Sequence, residues 1–353
     1  MVNKLKKVLL GMSGGVDSSV SAILLKKQGY EVVGCTMKLI SDDKSSTKQN
    51  IIDARKVCDK LNIQHFVIDL EKDFKTYVMD HFINSYNKGQ TPNPCIECNK
   101  YIKFKKIYEK AKELGIEYIA TGHYAKLEFD EKYDQIVLKK SKSIKKDQSY
   151  FLYNVEKEIL QKSIFPLSEF ETKDEIRQIA KEEGLEVYSK KDSEDICFIP
   201  NADYISFLEK HNVVFKQGKF LDMDGNTIAK HSGIQRYTVG QRRGLGISFS
   251  KPTYVVRFRN NDIVLGEEKD IYSTTLIANK LNFLVDIDLK DKFETYAKVR
   301  YSAKEAKCTI YKLDDDKVKV IFETPQRAVT KGQSIVFYDN EGIVLGGGKI
   351  LGF

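Results

Sequence analysis

A chain of 353 residues with 41% hydrophobic side chains and no long proline- or glutamine-rich tract has material for two or three folded domains, which excludes a disordered or fibrous class. Its formal net charge of +8 suits a nucleic-acid partner or an acidic small substrate without choosing between them. No apolar run approaches the roughly 18 to 20 residues of a membrane span, and the glycine-rich stretch starting at Gly11 leaves no room for a cleaved leader. The expectation is a cytoplasmic protein with no membrane partner.

Through about Gly122, short β-branched runs alternate with longer helical ones. "KKVLLGM" reads as a strand ending at Leu10, followed by a helix from about Ser18, a strand at "EVVGCTM" and a helix through "IIDARKVCDKL". A strand at "QHFVIDL", further helices and a strand at "EYIATGH" complete the pattern of βαβ units. It predicts a parallel sheet with helices on both faces and a ligand site at the carboxyl ends of its strands. "KLEFDEKYDQIVLKKS" alternates as an excursion hairpin, after which helical periodicity returns. Beyond Phe207, turn pairs such as "MDGN", "RNND" and "YDNEG" separate short alternating runs and predict antiparallel β structure. The expected domains are an α/β nucleotide-binding domain over 1–206, a small β-rich domain over 207–275 and a β-barrel over 276–353.

Between the first strand and helix lies "GMSGGVDSSV". A loop there aims its backbone N–H groups at one point, where the helix dipole also favours negative charge, so the spot suits a phosphate. Gly14 and Gly15 permit close approach, and Ser13, Ser18 and Ser19 offer hydroxyls. Asp17 would repel phosphate unless Mg²⁺ stood between them, which makes it the expected metal contact. No lysine follows the glycines, so the loop is not of the Walker type. "SGGVDSS" instead resembles the pyrophosphatase (PP) loop of the adenine-nucleotide α-hydrolase group, enzymes that split ATP to AMP and pyrophosphate while adenylating an oxygen.

Six cysteines in a chain of this length are no secreted disulfide framework; they read as buried thiols, ligands or reactive thiols. Cys35, Cys58 and Cys308 fall on periodic apolar faces and read as core. "TPNPCIECNKYIKF" brings Cys95 and Cys98 close together, but zinc would need a second pair, and His65, His81, His123, His211 and His231 lack ligand spacing. Cys197 stands in "KKDSEDICFIP", and spacing alone does not join it to the others.

Taken together, "GMSGGVDSSV", "TPNPCIECNKYIKF", "ATGHYA", "KDQSYFL", "KKDSEDICFIP", "GIQRYTVGQRRGLGI" and "PQRAVTKGQSIVFYDNEGIVLGGG" resemble, in order and spacing, the bacterial tRNA 2-thiouridylase (MnmA) family of the PP-loop ATP pyrophosphatase superfamily. The resemblance covers nearly the whole chain. It implies a tRNA-uridine 2-sulfurtransferase that adenylates the C2 oxygen of the wobble uridine (U34) of tRNAs for lysine, glutamate and glutamine, then inserts sulfur from a cysteine persulfide, releasing AMP and pyrophosphate. A sulfur-relay protein is the implied donor. By resemblance Cys98 is the nucleophile and Cys197 the persulfide carrier, the two joining in a disulfide. Gly11, Met12, Ser13, Gly14, Gly15, Val16, Asp17, Ser18, Met37 and Gly122 bind ATP; Asn93, Pro94 and Cys95 meet the flipped base. His123, Lys146, Asp147, Gln148, Arg300, Tyr301 and Gln333 contact the tRNA.

Some family members carry aspartate where Cys95 stands, which leaves its thiol as a competing nucleophile or resolving partner. The same loop serves amidotransferase-linked synthetases, argininosuccinate-type ligases and tRNA lysidine synthases, which do not need the paired thiols or "GIQRYTVGQRRGLGI". An alternative keeps the tRNA thiolase activity but makes Cys95, Cys98 and Cys197 ligands of a [4Fe–4S] cluster that uses hydrosulfide. A non-catalytic RNA-binding protein is the remaining reading. Both reactive thiols fall on segments that read as loops, which predicts a movable lid.

Overall fold

β1 (Lys7–Gly11) shows in one strand why the chain folds as it does. Leu9 packs into one apolar core with Ile107 and Ile119, whereas Val8 and Leu10 pack into another with Val20 and Ile23 of α1 (Val16–Lys27). Successive side chains point to opposite faces, so a strand covered on both sides is apolar throughout. The structure is a computed structural model that describes residues 6–41, 47–190, 196–199, 201, 203–287 and 292–352.

Around β1 runs a five-stranded sheet. It contains β2 (Glu31–Lys38), β3 (Gln64–Asp69), β4 (Tyr118–Ala120) and, after the hairpin of β5 (Ala125–Asp130) and β6 (Gln135–Lys140), β7 (Ser163–Ile164). The order is β3-β2-β1-β4-β7, and every pairing is parallel. The order reverses between β1 and β4, which opens a crevice at their carboxyl ends. α2 (Thr47–Lys60) covers the β2 and β3 side through Ala54, Val57 and Cys58.

The central unit is a four-stranded sheet of β8 (Gly218–Leu221), β9 (Thr227–His231), β10 (Tyr254–Arg259) and β11 (Asp262–Gly266), ordered β10-β11-β8-β9 around Phe220, Val255, Ile263 and Leu265. It is not wholly antiparallel, because β11 pairs with β8 in parallel. β12 (Tyr272–Phe283), β13 (Lys292–Lys298), β14 (Ala306–Lys312), β15 (Lys317–Arg327), β16 (Ser334–Tyr338) and β17 (Val344–Gly352) close an antiparallel barrel in the order β12-β15-β14-β13-β16-β17.

The barrel docks on the first domain. The Lys140 N–H donates to the Gly342 carbonyl at 3.1 Å, and the buried Tyr150 hydroxyl donates to the Ser334 carbonyl at 2.8 Å. The excursion hairpin is thus the strut between sheet and barrel. No helix among the described residues is long and apolar enough to cross a membrane.

Candidate active site

β1 delivers the chain to the crevice at Gly11, and α1 leaves it at Val16. Gly14 has φ +69°, and a Cβ there would lie 2.3 Å from the Asn50 carbonyl oxygen, so both backbone and space require glycine. Ser13 N–H donates to Ser18 Oγ at 3.1 Å, and the Ser18 and Ser19 hydroxyls donate to the Gly15 carbonyl at 3.1 and 2.9 Å. These bonds lie inside the first helical turn, so the helix starts two residues earlier than expected. Ser19 is fully buried and presents no donor to a phosphate; Met12 and Val16 likewise turn their side chains into the core. What the turn offers a ligand is backbone N–H at a helix N-terminus. Gly122, after β4, lies against the start of α1, where its Cβ would be 3.0 Å from Ser18 N.

Two lysines from elsewhere in the chain border the loop. Lys173 Nζ is 2.5 Å from Asp17 Oδ2, and the Tyr124 hydroxyl donates to Asp17 Oδ1 at 2.8 Å. Lys190 donates to the Gly14 carbonyl at 3.0 Å and pairs with Asp53 at 2.7 Å. Lys173 and Tyr124 thus hold the carboxylate that was expected to meet Mg²⁺. Gly14→Ala forces a left-handed backbone at about 1–2 kcal/mol and a collision with Asn50 besides. An ATP titration is expected to show at least about tenfold weaker binding; an unchanged affinity would remove the turn from the phosphate site.

The cysteine segment begins with Asn93, whose Oδ1 accepts the Cys95 N–H at 3.1 Å and caps the turn Pro94–Glu97. A π-helical stretch, Cys98–Phe104, follows directly. Cys98 is thus on a helix and not on a loop, buried in a cluster with Phe74, Phe82, Ile102 and Phe198. Cys197 is exposed, in a turn anchored by Phe198, whose ring meets Phe74 and Phe82 edge-on at 5.6 and 5.5 Å. The acidic residues just ahead of it, including Glu194 and Asp195, lie outside the described residues. Cys95 is exposed, and it, Cys98 and Cys197 are all free thiols.

Lys103 stands within electrostatic reach of all three thiols. Burial pushes the Cys98 thiol up to about 12, with Lys103 pulling the other way and Cys197 and Cys95 adding to the rise. Although Cys197 is an exposed residue, the protein packed around its sulfur raises its pKa too, again against Lys103. His123 also feels Lys103; burial first, and then that ammonium, hold the imidazole well below its usual range.

The barrel grips the same segment. Lys349 Nζ lies 2.8 Å from Glu97 Oε1, both side chains largely buried, as an ion pair and not as an aligned hydrogen bond. Gln333 Nε2 donates to the Thr91 carbonyl at 2.8 Å, and the Thr91 N–H donates to the Lys331 carbonyl at 2.9 Å.

Residues 6–201 match a family described as the tRNA methyl transferase HUP domain, 205–267 its PRC-barrel domain and 273–350 the aminomethyltransferase β-barrel domain. The tRNA-specific 2-thiouridylase MnmA of Clostridioides difficile (strain 630) is 48% identical over 98% of each chain, and that of Clostridium botulinum (strain Alaska E43 / Type E3) 50% over 98% of each. The Acetivibrio thermocellus enzyme of the same name is 49% identical over 98% of this chain and 99% of its own. The chain belongs to the tRNA-specific 2-thiouridylase family.

As a 2-thiouridylase family member it was expected to turn seven side chains toward tRNA, and the structure divides them. His123 is buried with Nδ1 2.8 Å from Thr121 Oγ1, and Asp147 is buried accepting from Ser141 N–H at 3.0 Å and the Ser149 hydroxyl at 2.7 Å. Gln148 accepts the Tyr124 N–H at 3.1 Å, and Gln333 is the clamp on Thr91. Each of the four has a partner within the protein: Asp147, Gln148 and Gln333 bond backbone groups, which need partners when buried, and His123 bonds the Thr121 side chain. Lys146 and Tyr301 are exposed. Arg300, half-buried, donates to the Arg327 carbonyl at 3.0 Å on the rim of a cavity of about 390 Å³. Pro94 is buried, which leaves Asn93 and Cys95 as the accessible part of the expected base contact. Met37 bridges the core under β2 and the cluster that holds Cys98.

The donor sets do not fit resident metals. Among the described residues no three His, Cys, Asp or Glu side chains are grouped to hold one, and Cys95, Cys98 and Cys197 form no such set. Lys103, Lys173, Lys190 and Tyr124 are the site residues that sequence reading missed. Lys103 alone left a trace, five residues after Cys98, but one that needs a π-helix to be read.

Proposed function

We propose that this chain is an ATP-dependent sulfurtransferase acting on the wobble uridine of tRNAs for lysine, glutamate and glutamine, in the cytoplasm. The observation that carries the proposal is a glycine turn at the carboxyl end of β1, backed by Gly122, in a chain whose free thiol Cys98 packs in one cluster with Phe198, the neighbour of the free thiol Cys197. A uracil carbonyl oxygen is a poor leaving group, so it first attacks the α-phosphorus of ATP and expels pyrophosphate from the turn 12–15. The terminal sulfur of a persulfide on Cys197, loaded by a sulfur-relay protein, then attacks C2, and AMP departs with the former carbonyl oxygen. The Cys98 thiolate attacks Cys197 Sγ, the electron pair of the broken S–S bond stays on the uridine sulfur, and a Cys98–Cys197 disulfide remains for an external thiol to reduce. Asn93 and Cys95 face the flipped base, while Lys146, Arg300 and Tyr301 meet the tRNA; Lys298 lies 5.4 Å above the Tyr301 ring and adds positive charge.

Purified protein supplied with ATP, a persulfide donor and each tRNA in turn is expected to form 2-thiouridine with one AMP and one pyrophosphate released per base. Thiolation that proceeds without ATP, or ATP cleavage that never yields 2-thiouridine, would refute the scheme.

A further inference from the structure

The ammonium of Lys190 is fully engaged within the protein. It donates to the Gly14 carbonyl at 3.0 Å, to Asn50 Oδ1 at 2.9 Å and to Asp53 Oδ2 at 2.7 Å, one acceptor for each of its three protons. Asp53 also balances its charge. A lysine so placed has no proton left for a phosphate, which separates it from the point charge of a Walker loop. Its backbone is fixed as well. Lys190 N–H donates to the Val187 carbonyl at 3.1 Å, and Val187 shares a buried cluster with Val16 of α1 and Val57 of α2.

What Lys190 holds is a peptide plane. The Gly14 carbonyl takes no backbone N–H among the described residues, so the ammonium is the group that fixes its direction. The Gly14–Gly15 bond is trans, and in a planar trans peptide the N–H points opposite to the carbonyl. With the carbonyl drawn toward Lys190 and the side chains of α2, the Gly15 N–H is turned away from them. Gly15 is the N-cap of α1, so its N–H adds to the first N–H groups of that helix, which have no partner inside it. A peptide between two glycines meets little steric resistance to turning over. Reversed, it would aim a carbonyl oxygen where the N–H had been, and that oxygen would repel an anion.

We propose that Lys190 is a positioning residue of the phosphate turn: by holding the Gly14 carbonyl it keeps the Gly15 N–H outward as a donor to the pyrophosphate part of ATP. The proposal rests on the nucleotide reading above and narrows it to one peptide. Lys190 itself touches no phosphate and takes part in no bond change.

The test is calorimetric titration of the full-length protein with ATP and, separately, with AMP, which lacks the pyrophosphate part. In Lys190→Met, ATP is expected to bind about tenfold more weakly while AMP changes by less than about threefold. Lys190→Gln is expected to match it, and the second neutral variant guards against the first failing to fold. Lys190→Arg keeps the charge and several donors, and is expected to stay within about threefold of the wild type for both nucleotides. A neutral variant that binds ATP as the wild type does would overturn the proposal. So would equal weakening of ATP and AMP, which a general loss of the site produces, or an Arg variant as weak as the neutral ones. Wild-type protein that binds no ATP is a separate outcome, because it refutes the nucleotide reading itself and the positioning role with it.

Discussion

Cys98→Ser is expected to form no 2-thiouridine, a fall of at least about a thousandfold, while ATP binding and pyrophosphate release persist. The phosphate turn is built from 12–15 and the start of α1, and no bond in it involves Cys98. Serine matches the buried site in size, so the cluster of Phe74, Phe82 and Phe198 survives. A hydroxyl, however, cannot take over the S–S bond of a persulfide and leave a disulfide behind. Cys197→Ser is expected to lose the same product for want of a sulfur carrier. Mass spectrometry of the tRNA, together with a pyrophosphate assay, separates the two halves of the reaction; normal thiolation in either variant would remove these thiols from the pathway.

The same reasoning sets a pH dependence for the wild type. Burial holds Cys98 at about 12, so it is protonated near neutrality and its thiolate fraction grows tenfold with each pH unit. Where sulfur release limits turnover, the rate rises from pH 7 to 9 with no plateau. A plateau near pH 7 would mean that substrate binding re-forms the cluster around Cys98 and moves its pKa.

Glu97→Ala carries the largest expected loss of stability. Glu97 and Lys349 are both largely buried, and the pair ties the first domain to the barrel one residue ahead of Cys98. Burial alone would raise the Glu97 carboxyl, but Lys349 outweighs it and holds the group below the usual carboxylate range. Removing the carboxylate leaves a buried ammonium unpaired, at about 3–5 kcal/mol. Glu97→Leu with Lys349→Met, which removes both charges, is expected to recover most of that loss. Urea denaturation of the single and double variants is the check, and a double variant no more stable than Glu97→Ala would show that the pair is not the source. Since the folded carboxyl has the lower pKa, its contribution is complete above the unfolded value and disappears as pH falls through the folded one. Acid should therefore loosen the junction of barrel and cysteine segment.

The parallel sheet, the hairpin, the barrel and the glycine turn after β1 were legible in the sequence because each depends on local rules. β1 needs apolar residues on both faces, turn pairs separate antiparallel strands, and Gly14 must occupy a left-handed backbone beside Asn50. The family resemblance named Cys98 and Cys197 for the same reason, since their blocks are contiguous in the chain. Tertiary structure decided everything that depends on charge meeting charge across distant segments. Lys173 lies 156 residues from Asp17 in sequence and 2.5 Å from it in space, and Lys349 reaches Glu97 from the last strand. Three polar residues expected to face RNA, Asp147, Gln148 and Gln333, instead bond backbone groups within the protein, and buried His123 bonds Thr121. Side-chain type and spacing determine which chemistry a segment can perform. Its charge balance and access to substrate are set by neighbours that local patterns do not reach, because electrostatics and desolvation act through space and not along the chain.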